Sequence, residues 1–379
     1  MTLLDPSLRP IELREVATSG GLKLGFARLN AERSLNALSL AMIRPLDAQL
    51  RAWAADDALV CVVLEGAGTK AFCAGGDVRA IYRSILEYPS DPLNPEALAF
   101  FSEEYRLDFR IHRYPKPILV WGSGIVMGGG LGLLAGASHR VVTETSRIAM
   151  PEITIGLFPD VGGSWFLRRM PGRLGLFAAL TGAPLNGRDA LHAGLANHLL
   201  PAGERESVSE SLKRAPWQEA PAENHALLTR LLDNHTAARD AAPEGKAERN
   251  AAKIDTLCEG DSLQAVISRI DRSGDGDPWI AHGAATLRAG SPTTAALIWE
   301  LWRRAEGLAL ADVLRMELTV AMQCCAHHDF AEGVRALLID KDNRPRWSPA
   351  TLAELTTETI ARHFAEPSWP LGVSPLADL

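Results

Sequence analysis

Leu22, Leu24 and Phe26 alternate with Lys23, Gly25 and Ala27, and this period of two predicts a half-buried strand. From Ser39 onward the apolar positions Leu40, Ile43, Leu46, Leu50 and Trp53 recur at helical spacing behind a residue suited to cap a helix. Pro45 falls inside that pattern and is expected to kink or delay the helix. Two continuous apolar runs, Val60 to Leu64 and Pro117 to Trp121, end at Gly66 and Gly122 and predict strands buried on both faces. Arg140 to Thr143 and Arg147 to Met150 read as two further short strands. The rhythm is strand, strand, helix, which places the chain in the α/β class.

Between Pro201 and Gly260 the pattern weakens into charged, Ala- and Pro-containing sequence, expected to form peripheral helices and connections. Residues 292–304 and 311–324 carry apolar positions at helical spacing, with Trp299, Leu301 and Trp302 expected in a core or interface. The predicted organisation is a core over 1–200, peripheral helices over 201–260 and a helical carboxyl-terminal region over 261–379.

Composition narrows the function. A chain of 379 residues with 47% hydrophobic and 22% charged residues and a net charge of -7 has no basic footprint for nucleic acid. Local pairs such as Arg168-Arg169 and Arg303-Arg304 still leave room for a small polyanionic ligand. Five cysteines, none in a C-x-x-C pair, fit a reducing compartment and no disulfide framework. The amino-terminal region, with Arg9, Glu12, Arg14 and Glu15, reads as neither a secretory signal nor a transit peptide, and no window approaches a membrane span. A cytoplasmic protein without membrane contact is expected.

Gly66-Ala67-Gly68-Thr69-Lys70-Ala71 half-matches a dinucleotide fingerprint, but the following Ala74-Gly75-Gly76-Asp77 would break the helix that the fingerprint must open. Those residues instead read as a turn whose amides face a ligand, small side chains permitting close approach. A second such turn runs from Gly122 to Gly130 and ends in the triplet Gly128-Gly129-Gly130 before the apolar stretch Leu131 to Ala135. Amides at a helix start suit an anion, and one from each turn could form an oxyanion hole. Downstream, Met150 to Gly163 sets Glu152 and Asp160 in an apolar run. Two readings stay open there: carboxylates capping loop amides, or acids whose desolvation fits them for proton transfer or attack.

Lys70-Ala71-Phe72-Cys73-Ala74-Gly75-Gly76-Asp77, then Gly128-Gly129-Gly130, then Pro151-Glu152 with Ile155-Gly156, together resemble the enoyl-CoA hydratase/isomerase (crotonase) superfamily. The resemblance implies a spiral of strand-strand-helix turns that binds acyl-CoA. It also implies a thioester oxygen held by the amides of Ala74 and Gly129, with Gly128 beside them, and an adenine end near the loop Gly75, Gly76, Asp77 and Val78. Asp77 itself reads more simply as a helix cap.

Hydratases of that family place an acid two residues after the glycine triplet, where this chain has Gly132, and carry glycine after the proline where this chain has Asp160. Phe158-Pro159-Asp160-Val161-Gly162-Gly163, Ser102-Glu103-Glu104-Tyr105 and the stretch Asp329 to Asp342 are similar to the 3-hydroxyisobutyryl-CoA hydrolase branch. That likeness implies Glu152 as principal catalytic carboxylate, Asp160 as its partner and Glu104 as a substrate contact. Glu152 would attack the thioester or act as general base on water. The expected activity is hydrolysis of 3-hydroxyisobutyryl-CoA or a close short 3-hydroxyacyl-CoA in valine catabolism, with no cofactor beyond the CoA of the substrate. Enoyl-CoA hydration or isomerisation, and acyl-CoA binding without turnover, are the rival readings. His327-His328 beside Cys324-Cys325 completes no clear ligand set, so no metal is expected. Lys341 or a nearby Arg is a candidate for CoA phosphates, and monomer, dimer and trimer are all admissible.

Overall fold

The computed structural model of the chain describes residues 9–235, 242–273 and 276–379. Its strands are β1 (Ile11–Ala17), β2 (Lys23–Leu29), β3 (Leu59–Gly66), β4 (Ala71–Cys73), β5 (Ile118–Gly122), β6 (Ile125–Met127), β7 (His139–Val142), β8 (Arg147–Ala149) and β9 (His198–Leu199). One sheet has the order β1-β2-β3-β5-β7-β9 and the other β4-β6-β8. β1 and β2 are antiparallel, whereas the later neighbours of the long sheet run parallel.

The expected rhythm has a simple geometric form. β3, β5 and β7 join the long sheet, and the strand after each of them, β4, β6 and β8, joins the short one. Helices Val78–Glu87 and Gly129–Gly136 follow β4 and β6, so each advance consists of strand, strand and helix.

Contacts divide the chain into two compact units, each assembled from separated stretches. The first comprises Met1–Gly76, Leu107–Ile148 and Leu185–Gly245, and the second Asp77–Arg106, Ala149–Pro184 and Lys246–Leu379.

In the first unit β3 and β5 are buried almost throughout, as apolar runs in parallel strands require. β2 departs from its predicted half-burial, because Gly25 and Ala27 are buried as well. The indole of Trp53 covers that second face, and a Cβ at Gly25 would stand 2.9 Å from its ring. Trp53 comes from helix Leu40–Ala55, which starts directly after Ser39 and holds Pro45 inside it, neither delayed nor begun beyond it. The other notable departure lies in the stretch expected to be peripheral. Helices Arg205–Arg214 and Pro221–Asp233 contribute Val208, Leu212, Leu228 and Leu232 to one cluster with Leu24, Phe26, Val63, Leu119 and Trp121 of the sheet. Trp217, between those helices, joins the same cluster and donates its indole N–H to Leu212 O at 2.7 Å.

The second unit is mainly helical. Helix Leu174–Thr181 is buried along its length, with the Phe177 ring 5.3 Å from that of Trp279. Helix Pro292–Arg304 has proline at its first turn and is capped by Ser291, whose hydroxyl accepts the Thr294 N–H. Leu301 is buried there, while Trp302 is half-buried beneath the Arg168 guanidinium. Helix Leu310–Ala326 follows. Among the described residues no helix is long and apolar enough to cross a membrane.

Candidate active site

The two glycine turns belong to the first unit, and register brings them together. β4 and β6 are parallel neighbours, with Ala71 opposite Ile125 and Cys73 opposite Val126, so the chain leaves both at the same end. Parallel strands thus set two strand-to-helix turns side by side, where peptide amides face outward. Close approach dictates the residue types. Gly75 has φ +110°, and a Cβ on Gly130 would lie 2.3 Å from Cys73 O. Gly128 precedes helix Gly129–Gly136 with φ 49° and ψ -125°, a conformation that a side chain disfavours.

Amide directions correct one expected residue. The Ala74 N–H donates to Leu35 O at 3.1 Å and is therefore committed within the fold. Leu38 N–H bonds Gly75 O at 2.8 Å and fixes the same loop. Among the described residues neither the Gly76 nor the Gly129 amide has a hydrogen-bond acceptor. The uncommitted donors of the two turns are therefore Gly76, not Ala74, and Gly129. Asp77 caps helix Val78–Glu87 by accepting the Ala80 N–H at 3.2 Å, which occupies the carboxylate that the resemblance placed near the ligand.

The carboxylates lie in the second unit. Glu152 opens a short 3-10 helix, Glu152–Ile155, that ends at Gly156 with φ 72°, where a Cβ would strike Asp329 O at 2.3 Å. Glu152 is 5% exposed and caps no helix, and its Oε2 has no hydrogen-bond partner among the described residues. Asp160 is equally buried and accepts the Tyr105 hydroxyl at 2.9 Å. Neither is a helix cap: no side chain caps the 3-10 helix at Glu152, and the helix after Asp160 is capped by Gly162.

Burial pushes the Glu152 carboxyl well above its ordinary range, and the nearby charge of Asp160 pushes it further. Burial likewise raises Asp160, to about 7, against the Tyr105 hydrogen bond that favours its ionised form. Tyr105 is raised in turn, by burial first and then by the charges of Asp160, Glu317 and Glu104. Glu104 precedes Tyr105 on helix Pro95–His112 and is buried too.

Two residues of this group received no role from the motifs, although Tyr105 stands within one of them. Tyr105 has its only clue in its place beside Glu104. Glu317 shares the buried face of helix Leu310–Ala326 with Val313, Leu314 and Ala321, and an acid on an apolar helix face is the signal that would have found it. Its Oε2 accepts the Gly162 N–H at 2.7 Å and its Oε1 the Ser164 N–H at 2.8 Å. Burial nevertheless raises it to about 8.

Other candidates are occupied elsewhere. His327 Nδ1 bonds Gln323 O while His328 Nε2 bonds Arg346 O, so the two rings serve different neighbours. No group of three His, Cys, Asp or Glu placed to hold a metal ion occurs among the described residues. Arg335 is held by Glu332, Asp340 and Asp342, and Lys341 beside them is exposed.

Residues 24–364 match the family described as enoyl-CoA hydratase/isomerase. The chain belongs to that family. As a crotonase-family acyl-CoA enzyme it is 38% identical to the mitochondrial 3-hydroxyisobutyryl-CoA hydrolase of Danio rerio, over 90% of this chain and 87% of that protein. The corresponding Homo sapiens protein is also 38% identical, over 90% of this chain and 86% of its own. Among solved structures, a carnitinyl-CoA dehydratase from Mycobacterium thermoresistibile superposes with a TM-score of 0.82 at 36% identity, covering 94% of this chain and 96% of that one. An enoyl-CoA hydratase from Rhodobacter sphaeroides gives 0.81 at 33% identity, covering 94% and 97%. The crotonase fold, with its two sheets and helical carboxyl-terminal region, is thereby shared. The names of these relatives span hydrolase, dehydratase and hydratase. In this chain residue 132 is a glycine buried in helix Gly129–Gly136, and residue 160 is a buried aspartate.

Proposed function

We propose that the chain hydrolyses the thioester of a short 3-hydroxyacyl-CoA, with 3-hydroxyisobutyryl-CoA as the first substrate to test. The observation that carries this reading is the buried pair Glu152 and Asp160 in a chain whose residue 132 is glycine. The hydratase pattern needs an acid at 132, whereas thioester hydrolysis does not. Likeness to the two named hydrolases supports the same choice.

Attack at the thioester carbon forms a C–O bond and drives charge onto the carbonyl oxygen; collapse breaks the C–S bond and releases CoA thiolate, which takes a proton. The amides of Gly76 and Gly129 receive that charge, and one such donor is worth about 3 to 4 kcal/mol to the transition state. Ionised Glu152 either attacks the carbon, giving a mixed anhydride that water opens, or takes a proton from an attacking water. Asp160, oriented by Tyr105, accepts the substrate 3-hydroxyl, and a buried partner for that group disfavours unhydroxylated acyl-CoAs.

Thiol release from 3-hydroxyisobutyryl-CoA, followed with a thiol reagent, is expected in the unaltered chain and lost in Glu152→Ala. Undiminished turnover in that variant would sink the assignment. The dehydratase and hydratase names of the two solved relatives favour a second reading, hydration of an enoyl-CoA. Loss of the crotonyl-CoA ultraviolet band without thiol release would favour it, and tight acyl-CoA binding with neither change would point to a binder.

A further inference from the structure

The chain between Pro159 and Ser164 makes a reversal that its sequence resists. Asp160 O accepts the Gly163 N–H at 2.7 Å, and the two residues between them, Val161 at φ 54° and Gly162 at φ 83°, both have left-handed backbones. Positive φ at both central positions marks a type I′ turn, for which glycine, asparagine and aspartate are the usual residues. Gly162 conforms. Val161 does not: a β-branched residue with positive φ is a steric outlier, and such a conformation persists only where its surroundings over-determine it.

Glu317 supplies that determination. Its two oxygens take the amides of Gly162 and Ser164, one inside the turn and one just beyond it, and its side chain is fully buried in helix Leu310–Ala326. A buried carboxyl group whose two oxygens face two backbone donors is a rigid bidentate brace in its ionised form, which those amides favour against the burial that raises it, so the brace is complete above about pH 8. The turn it braces starts at Asp160, whose Oδ2 meets the Tyr105 hydroxyl.

We propose that Glu317 is a positioning residue for Asp160, its carboxylate holding the Val161-Gly162 turn in a left-handed form that aims the Asp160 side chain at Tyr105. Glu317 touches no reacting atom and acts through the backbone. Its kinetic consequence rests on the hydrolase reading above, while the positioning itself does not.

Glu317→Gln keeps the shape but turns an NH2 group toward one of the two amides, so one bond of the brace is lost. With the unaltered chain turning over 3-hydroxyisobutyryl-CoA above about pH 8, this variant is expected to lose kcat on the order of 10²-fold, because small misplacements of a reacting constellation cost that much, with KM raised as the 3-hydroxyl loses its aligned partner. Val161→Gly removes the strain that the brace resists. Added to Glu317→Gln, it is expected to restore kcat by about tenfold, a coupling that two independent structural losses would not give. An activity-independent reading comes from tyrosine carrying 13C at Cζ. The chain has 4 tyrosines, and Tyr105→Phe assigns the resonance in question. That resonance should move in Glu317→Gln and return in the double variant.

An unmoved Tyr105 resonance in Glu317→Gln, or a double variant no better than the single one, overturns the proposal. Absence of thiol release in the unaltered chain refutes the hydrolase reading instead and leaves the resonance to judge Glu317. Should Glu317→Gln not fold, the double variant decides: recovery of the fold and of the Tyr105 resonance supports the brace, and failure to recover overturns it.

Discussion

Asp160 is pulled in opposite directions by its burial and by Tyr105, and it acts in turn on Glu152. Tyr105 donates a hydrogen bond that favours the ionised carboxylate, while Asp160, once ionised, makes ionisation of Glu152 harder. Carboxylates coupled in this way titrate as a pair, and the Tyr105 bond puts the first negative charge on the Asp160 side. Glu152 then ionises last. If attack or base catalysis needs ionised Glu152, kcat/KM for thiol release keeps rising with pH above the ordinary carboxylate range. Asp160→Asn removes the like charge and lowers the Glu152 pKa, so that limb of the profile should move to lower pH even as the loss of the hydroxyl partner weakens the substrate. A pH series of kcat/KM for the two proteins checks this, and a limb that stays in place or moves to higher pH would contradict the assignment of Glu152.

At the scale of elements, the paired turns after β4 and β6 make a prediction that neither turn would make alone. A methyl group at Gly130 meets Cys73 O at 2.3 Å, backbone that cannot swing away as a long side chain can. Gly130→Ala is expected to cost about 1 to 3 kcal/mol in denaturant unfolding and to lower kcat by separating the two turns. Gly203→Ala, where a Cβ meets nothing within 4 Å, should change stability by no more than about 0.5 kcal/mol. Equal losses in the two variants would refute the packing argument. These elements also mark what was legible in the chain. β3 and β5 could be read directly, since a fully buried parallel strand is written as an unbroken apolar run. The glycine turns and the two carboxylates could be read as motifs. Ala74 could not be separated from Gly76, because the direction of an amide is set by register with a distant segment, here Leu35. The second face of β2 and the sheet cover from residues 205–233 were hidden for a related reason. Small residues such as Gly25 give no sign of the indole that will cover them, and a short amphipathic helix does not name the surface it packs on.

Across the whole molecule, buried histidines of the first unit and buried carboxyls of the second shift the pH dependence of stability in opposite directions. In the first unit the His139 ring stacks on His198 at 5.9 Å and on His225 at 5.8 Å. Burial, followed by the charges of those neighbours, lowers His139 to about 4, and burial lowers the other two as well. The unfolded chain therefore binds more protons than the folded one between about pH 4 and the ordinary histidine value of 6.5, and the stability of this unit rises with pH over that window. In the second unit Asp160 and Glu317 stand at about 7 and about 8 against ordinary values of 3.8 and 4.5. Here the folded chain holds the extra protons, and stability falls as pH rises through the interval. His363, also lowered to about 4, opposes that fall only below its ordinary value of 6.5, so the decline is steepest above it. Each fully shifted group contributes at most about 1.4 kcal/mol per pH unit. Hydrogen exchange, corrected for the pH dependence of the intrinsic rate, separates the two effects by peptide. Protection of Pro221–Asp233 should rise between about pH 5 and 6.5, and protection of Leu310–Ala326 should fall between about pH 6.5 and 8. A common trend in both peptides would mean that the second unit does not hold its carboxylates protonated, and the pH argument for Glu152 would fail with it.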